Sequence, residues 1–305
     1  MAWAKNIYCN HRSWPKIMIV TLVLLSGTFI AAWATLAAPL PSGKPKATWL
    51  WDTSLINTAT GRNQIIKFAK NQQISRIYLQ VNPDVTKNAY RYMIKTAAGN
   101  GIEVYALDGA PNWALPENRG QITSLIGWVK TYNATVTMNE RFAGIQLDIE
   151  PYLLPEWSTD QTGVAQKWLD ALRYFHDETK KAPALSTSAA LPFWLDSVSL
   201  SSGVILGEAL IAKLDEVALM SYRNQGDAVV NLVTEELAWG DKYGKKVWLS
   251  LETNAIPETP YITFYDKGKI EMDLQMSRID ELVKAHQSYA GIAVHDYTGW
   301  RDLKN

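Results

Sequence analysis

The sequence predicts an α/β fold, a (β/α)8 TIM barrel preceded by an apolar N-terminal segment, and three observations predict it. From Ala47 to the C-terminus, short apolar runs alternate eight times with helix-length amphipathic stretches, the order that gives right-handed crossovers and a parallel sheet. No Gly-x-Gly-x-x-Gly follows any of those runs, so an open dinucleotide-binding sheet loses its main support. The chain has 305 residues, 47% of them hydrophobic, enough for one barrel of roughly 250 residues but not for a second large domain.

The N-terminal region divides into three parts. Residues 1–16 form a basic flank carrying Lys5, Arg12 and Lys16, and residues 17–38 are uncharged. The run Ile17–Ala38 is 22 residues long, enough to cross a bilayer, while Ala32-Trp33-Ala34 offers a small-residue cleavage site. An anchor and a signal peptide cleaved near Ala34 therefore both stand. In either case the basic flank stays in the cytosol and the rest is exported, which puts the barrel outside the cytosol, at the cell membrane or secreted. Residues 39–46, with Pro39, Pro41 and Pro45, read as a linker, and 47–305 as the barrel.

The eight strands are expected at Thr48–Asp52, Arg76–Val81, Glu103–Asp108, Gly144–Glu150, Ala184–Ala190, Glu216–Tyr222, Lys246–Glu252 and Gly291–Tyr297. Helices are expected at Gly61–Asn71, Lys87–Asn100, Gln121–Asn133, Gln161–Lys180, Val229–Lys242 and Asp273–His286, with a short one near Gly207–Lys213. The fourth strand is the most informative. Ile145, Leu147 and Ile149 alternate with Gln146, Asp148 and Glu150, so one face packs on helices and the other lines the barrel with polar groups. Pro151 cannot donate to a sheet ladder and ends the strand, leaving Glu150 at the C-terminal mouth, where barrel enzymes keep their chemistry. The plainer reading is that Asp148 and Glu150 are structural groups that fill the barrel.

Composition narrows the chemistry. Lys+Arg and Asp+Glu are both 30, so no overall charge points to nucleic acid. The single cysteine, Cys9, precedes the apolar run and no Gly-x-Ser-x-Gly occurs, which disfavours Ser-elbow or Cys nucleophiles. Of four histidines only His295 falls at a strand end, so a multi-histidine zinc centre is not expected. No cofactor and no metal are expected, although an oxygen-ligand site for a hard cation stays open. The strand ends carry Asp52, Gln80, Asn82, Asp108, Gln146, Asp148, Glu150, Tyr152, Tyr222, Arg223, Glu252, His295 and Asp296, with Trp113, Trp194 and Trp300 near them. Such a rim of hydrogen-bonding groups and aromatic faces suits a neutral polyhydroxylated ligand.

Two glycosidase families share parts of this pattern. The fourth strand resembles that of the chitinase-like barrels of glycoside hydrolase family 18, Asp-x-x-Asp-x-Asp-x-Glu. The matching positions here are Ala143, Gln146, Asp148 and Glu150, so two acids are kept and two replaced. The sixth strand of that family carries Met-x-Tyr-Asp, and this chain reads Met220-Ser221-Tyr222-Arg223. The resemblance implies Glu150 as general acid, Asp148 orienting a substrate acetamido group and Tyr222 binding it. The chain is also similar to the clan A retaining glycosidases, with an acid/base at the end of strand four and a nucleophile at the end of strand seven. Glu150 and Glu252 stand there, with Ile149 where those enzymes have Asn. The expectation is an exported glycoside-hydrolase-like enzyme acting on a cell-envelope or extracellular polysaccharide. Glu150, Asp148 and Glu252 would be its catalytic groups and the other rim residues its substrate contacts. The alternatives are a non-catalytic glycan-binding barrel, favoured by the two replaced acids, and an envelope scaffold.

Overall fold

The computed structural model describes residues 43–305. The predicted basic flank, the apolar segment 17–38 and most of the linker lie outside the described residues. Among the described residues no helix is long and apolar enough to cross a membrane.

Eight parallel strands close in sequence order: β1 Lys46–Leu50, β2 Ile74–Gln80, β3 Glu103–Asp108, β4 Gly144–Leu147, β5 Ser186–Pro192, β6 Glu216–Met220, β7 Lys246–Glu252 and β8 Tyr289–His295. The barrel is sealed where Lys46, Ala47 and Thr48 of β1 pair with Ile292, Ala293 and Val294 of β8. Around it lie α1 Ala59–Asn71, α2 Lys87–Ala98, α3 Arg119–Ala134, α4 Gln161–Lys180, α5 Leu206–Lys213, α6 Gly226–Asn231, α7 Thr234–Tyr243, α8 Gly268–Val283 and α9 Tyr297–Asp302. Four helix starts are fixed by side chains that accept from orphan backbone amides, that of α9 by Asp296. Thr58 takes the Gly61 N–H at 3.0 Å, Thr86 that of Ala89 at 3.2 Å and Asp160 that of Gly163 at 3.0 Å.

The stretch Val229–Lys242, expected as one helix, is two, because its halves have different partners. The chain turns at Leu232 and Val233, so α6 packs against α8 while α7 packs against α5. Strand limits otherwise move by a few residues from those expected.

Side chains alternate strictly across the sheet. The outer row, including Ile77, Leu79, Val104, Ala106, Ile145, Leu147 and Ile149, joins the helices in the main core. The inner row, with Ala47, Trp49, Tyr78, Tyr105, Leu107, Ala218, Trp248 and Ala293, fills the barrel itself. Gly144 opens β4 because a Cβ there would lie 2.5 Å from the Tyr105 ring. At the N-terminal end the interior holds a charge: Arg76 reaches Glu216 at 2.5 and 2.6 Å and Glu103 at 2.6 Å. The guanidinium lies over Tyr105, 4.1 Å from the ring centre.

Candidate active site at the barrel mouth

Above this filled interior, the inner row ends at the C-terminal mouth in Trp51, Gln80, Asp148, Glu150, Tyr222, Glu252 and His295. Gln146, one layer below, is fully buried. It accepts from the Trp49 indole at 2.7 Å and donates to Ser188 Oγ at 3.0 Å. Both ends of its amide are thus engaged within the barrel interior, and among the described residues no hydrogen bond joins it to Asp148 two residues on.

The backbone of Asp148 continues the ladder past β4, its N–H donating to the Asp108 carbonyl at 3.1 Å. Gly109 crosses so closely that a Cβ would fall 2.0 Å from the Asp148 carbonyl oxygen. The carboxyl of Asp148 is enclosed, and its Oδ1 has no hydrogen-bond partner among the described residues. Burial first, and then the neighbouring Glu150 charge, push its pKa up to about 7, against a smaller downward pull from His295. Glu150, half-buried, accepts a short hydrogen bond from the Tyr152 hydroxyl. Tyr152 packs edge-on against Trp194, with Trp157 completing an aromatic wall.

Glu252 is differently placed. It is 4% exposed, and its Oε1 accepts from the amides of Thr253 at 2.8 Å and Asn254 at 2.7 Å and from Asn254 Nδ2 at 2.9 Å. Its Oε2 faces His295 Nδ1 at 2.8 Å. The other imidazole nitrogen, Nε2, accepts from the Trp51 indole at 3.1 Å. Burial lowers the proton affinity of His295, but the Glu252 hydrogen bond and charge outweigh it and raise the pKa above the usual value. With Nε2 accepting from the Trp51 indole, the Nδ1 proton faces Glu252. Tyr222 lies beside His295, ring centres 6.1 Å apart. Burial, followed by the charges of Glu252, Asp148 and Glu150, raises its pKa well above that of a free phenol.

Several expected rim residues do other work. Asp52 accepts from the amide of Ser54 at 3.1 Å and caps the 3-10 turn Thr53–Asn57, so its carboxylate is spent outside the mouth. Asp296 caps α9 through the Gly299 amide at 2.9 Å. Trp300 is 1% exposed and packs edge-on against Phe68 in the helix layer. Asp108 shares the outward parity of Val104 and Ala106, and with Asn82 and Trp113 it lines a lateral cavity between α2 and α3. Asn82 also accepts from the Asp84 amide at 2.9 Å. Arg223 donates to the Tyr222 carbonyl at 2.7 Å and lies between Phe193 and Tyr261. Trp51 was missed as a site residue; its signal is the period of two that carries the inward row from Ala47 and Trp49 to it. Among the described residues no group of three or more potential ligand side chains could hold a metal ion.

The chain is thus a (β/α)8 barrel with acids at its C-terminal mouth. No family model matches the sequence, and no curated protein matches it by sequence. Among solved structures, the chain is similar to a chitinase from Bacteroides thetaiotaomicron, with TM-score 0.55 and 13% identity, over 85% of this chain and 91% of that one. It is similar to a GH18 chitinase from Pseudoalteromonas aurantia, with TM-score 0.52 and 15% identity, over 84% and 95%. The spore cortex-lytic enzyme SleL of Bacillus cereus matches with TM-score 0.55 and 10% identity, over 85% and 73%. At these identities the likeness is one of fold.

Proposed function

We propose that the chain is a glycoside hydrolase acting on a cell-envelope or extracellular polysaccharide, with Glu150 as its general acid. The observation that carries this reading is the carboxyl pair at the end of β4. Asp148 and Glu150 both point into the mouth, and Asp148 is enclosed with an unbonded oxygen and a pKa near 7. An acid kept desolvated without a cationic partner is poised for proton transfer and not for stability. With a pKa near 7, the Asp148 carboxyl keeps a proton to about neutral pH. At rest Asp148 holds that proton while Glu150 accepts from Tyr152. When substrate displaces water, the proton passes to Glu150 and from there to the glycosidic oxygen; the C1–O bond breaks as the acetamido oxygen of the sugar bonds to C1, and water then displaces that oxygen at C1 and gives up its proton to the Glu150 carboxylate.

Glu252 has a different role in this scheme. Its four hydrogen bonds occupy the oxygens that a nucleophile would present to the anomeric carbon, so it holds His295 against Tyr222. That arrangement favours the chitinase-like scheme over clan A chemistry, with Asp148 orienting an acetamido-bearing sugar and the unbonded Tyr222 hydroxyl receiving it. Tyr152, Trp194 and Trp157 supply the stacking wall. Export and attachment through residues 17–38 belong to the same proposal and rest on the sequence.

A second reading, a glycan-binding barrel without turnover, is favoured by Gln146, which replaces an acid and is locked by Trp49 and Ser188. Release of reducing ends by the full-length protein from a panel of N-acetylated and non-acetylated polysaccharides separates the two. Turnover of an N-acetylated polymer that Glu150→Gln abolishes supports hydrolysis. Binding without turnover by the unaltered protein supports the second reading.

A further inference from the structure

The lateral cavity between α2 and α3 has a volume of about 490 Å³, within the range of small-ligand sites. It opens on the outer side of β3, away from the mouth: Tyr105 and Leu107 point into the barrel, and Asp108 points out between them and the helices. The carboxyl of Asp108 is half-buried and is held, among the described residues, only by the Gly109 amide at 2.9 Å. Burial raises its pKa. Trp113, on the turn after β3, and Trp128, on α3, are both half-buried and both line the cavity. Trp128 is fixed by stacking on Tyr132, ring centres 5.6 Å apart. Gln121 and Ser124, on the first turns of α3, complete the polar lining and have no side-chain partner among the described residues.

From this placement we infer a second, non-catalytic binding site for a neutral saccharide unit, with its apolar ring face against Trp113 and Trp128 and its hydroxyls on Asp108, Gln121 and Ser124. The chemistry selects the class. A carboxylate oxygen free of protein donors accepts from a pair of hydroxyls, and half-buried indoles match the C–H face of a pyranose. A phosphate or nucleotide would meet the Asp108 charge, which the single lysine at the rim, Lys87, offsets only in part. One carboxylate is too few for a metal ion. The cavity holds about one or two sugar units. The carbonyl of Asp108, which lines the cavity, accepts from the Asp148 amide, so an anchored glycan would lie beside the strand that carries Asp148 and Glu150.

This inference does not depend on the barrel being a hydrolase. The test is a tryptophan-fluorescence titration of the full-length protein carrying Glu150→Gln, with glucose, mannose, galactose and N-acetylglucosamine at millimolar concentrations. At least one sugar is expected to bind. Trp113→Ala and Asp108→Asn should each weaken it about tenfold or more, while Tyr222→Phe at the mouth leaves it unchanged. Gln121→Ala on the exposed helix surface, where folding is not at risk, should weaken it several-fold. The inference is overturned if no sugar binds. It also fails if the cavity variants bind as the parent does, or if Tyr222→Phe removes the same binding, which would assign it to the mouth.

Discussion

The barrel buries acids at both of its ends. At the N-terminal end Glu216, 2% exposed, takes two hydrogen bonds from Arg76 and a third from the Trp248 indole at 3.1 Å. At the C-terminal mouth Asp148 is enclosed in the same sheet, yet among the described residues no cation pairs with it and one oxygen has no partner. Burying a charge is costly, and a paired, hydrogen-bonded ion is the form in which an interior tolerates it. Glu216 obeys that rule and Asp148 does not. The departure is informative because it occurs where a substrate would supply the missing partners.

The largest expected effect at the mouth is that of Glu150→Gln, which keeps shape and hydrogen bonding but removes the ionisable proton. Turnover of a confirmed polysaccharide substrate should fall by about 10³-fold or more with the melting temperature nearly unchanged. Retained activity would remove Glu150 from the mechanism. At the floor, Arg76→Met leaves Glu216 buried and unpaired and should cost about 3–5 kcal/mol in chemical denaturation. Adding Glu216→Gln should restore a large part of that loss. If Arg76→Met were neutral, the contrast between the two ends would disappear.

Asp148→Asn should act in the opposite sense on stability. The folded pKa is raised from 3.8 to about 7, so below about pH 4 the carboxyl is protonated in both states and costs nothing. As pH rises toward 7 the unfolded chain gains by ionising and the fold is penalised. The variant should therefore melt at a higher temperature than the parent at pH 8 and at nearly the same temperature at pH 4, while losing activity. In the parent, kcat/KM should decline above pH about 7 as Asp148 loses its proton.

Glu252→Gln tests the assignment of the strand-seven acid. A residue that holds His295 should on loss of its charge reduce kcat about tenfold and lower the imidazole pKa, read by NMR; loss of a nucleophile would cost orders of magnitude more.

The smallest effect lies outside both ends and guards against reading too much into an orphaned acid. Glu236 on α7 is 3% exposed, neither oxygen is bonded, and burial pushes its pKa up to about 8. It belongs to the helix layer and lines neither the mouth nor the lateral cavity. Glu236→Gln should raise the melting temperature at pH 9 by a few degrees, leave it unchanged near pH 4 and not affect turnover. An activity loss at constant stability would show that burial of an acid had been misread as incidental.

The sequence by itself determined the barrel, the order of its strands and which β4 residues face inward. Those depend on patterns local to the chain, the alternation across Ile145–Glu150 and the repeat of strand and helix, and a closed sheet leaves such patterns one arrangement. It also brought Asp148, Glu150, Tyr222, Glu252 and His295 to one end of the molecule. It did not reveal that Asp52 and Asp296 are caps, that Trp300 is core, or that Asp108 turns outward, because a strand's last residue and a loop's first one carry no periodicity. Only the tertiary structure decided the state of each acid. Asp148 and Glu252 are both inward carboxylates on strand ends, and what separates them is the set of donors brought from distant parts of the chain. Glu252 meets two backbone amides, Asn254 and His295, whereas Gln146 bonds to Trp49 and Ser188 and no side chain among the described residues donates to Asp148. Desolvation and donor count set the proton affinity of a carboxyl, and both are properties of the folded surroundings.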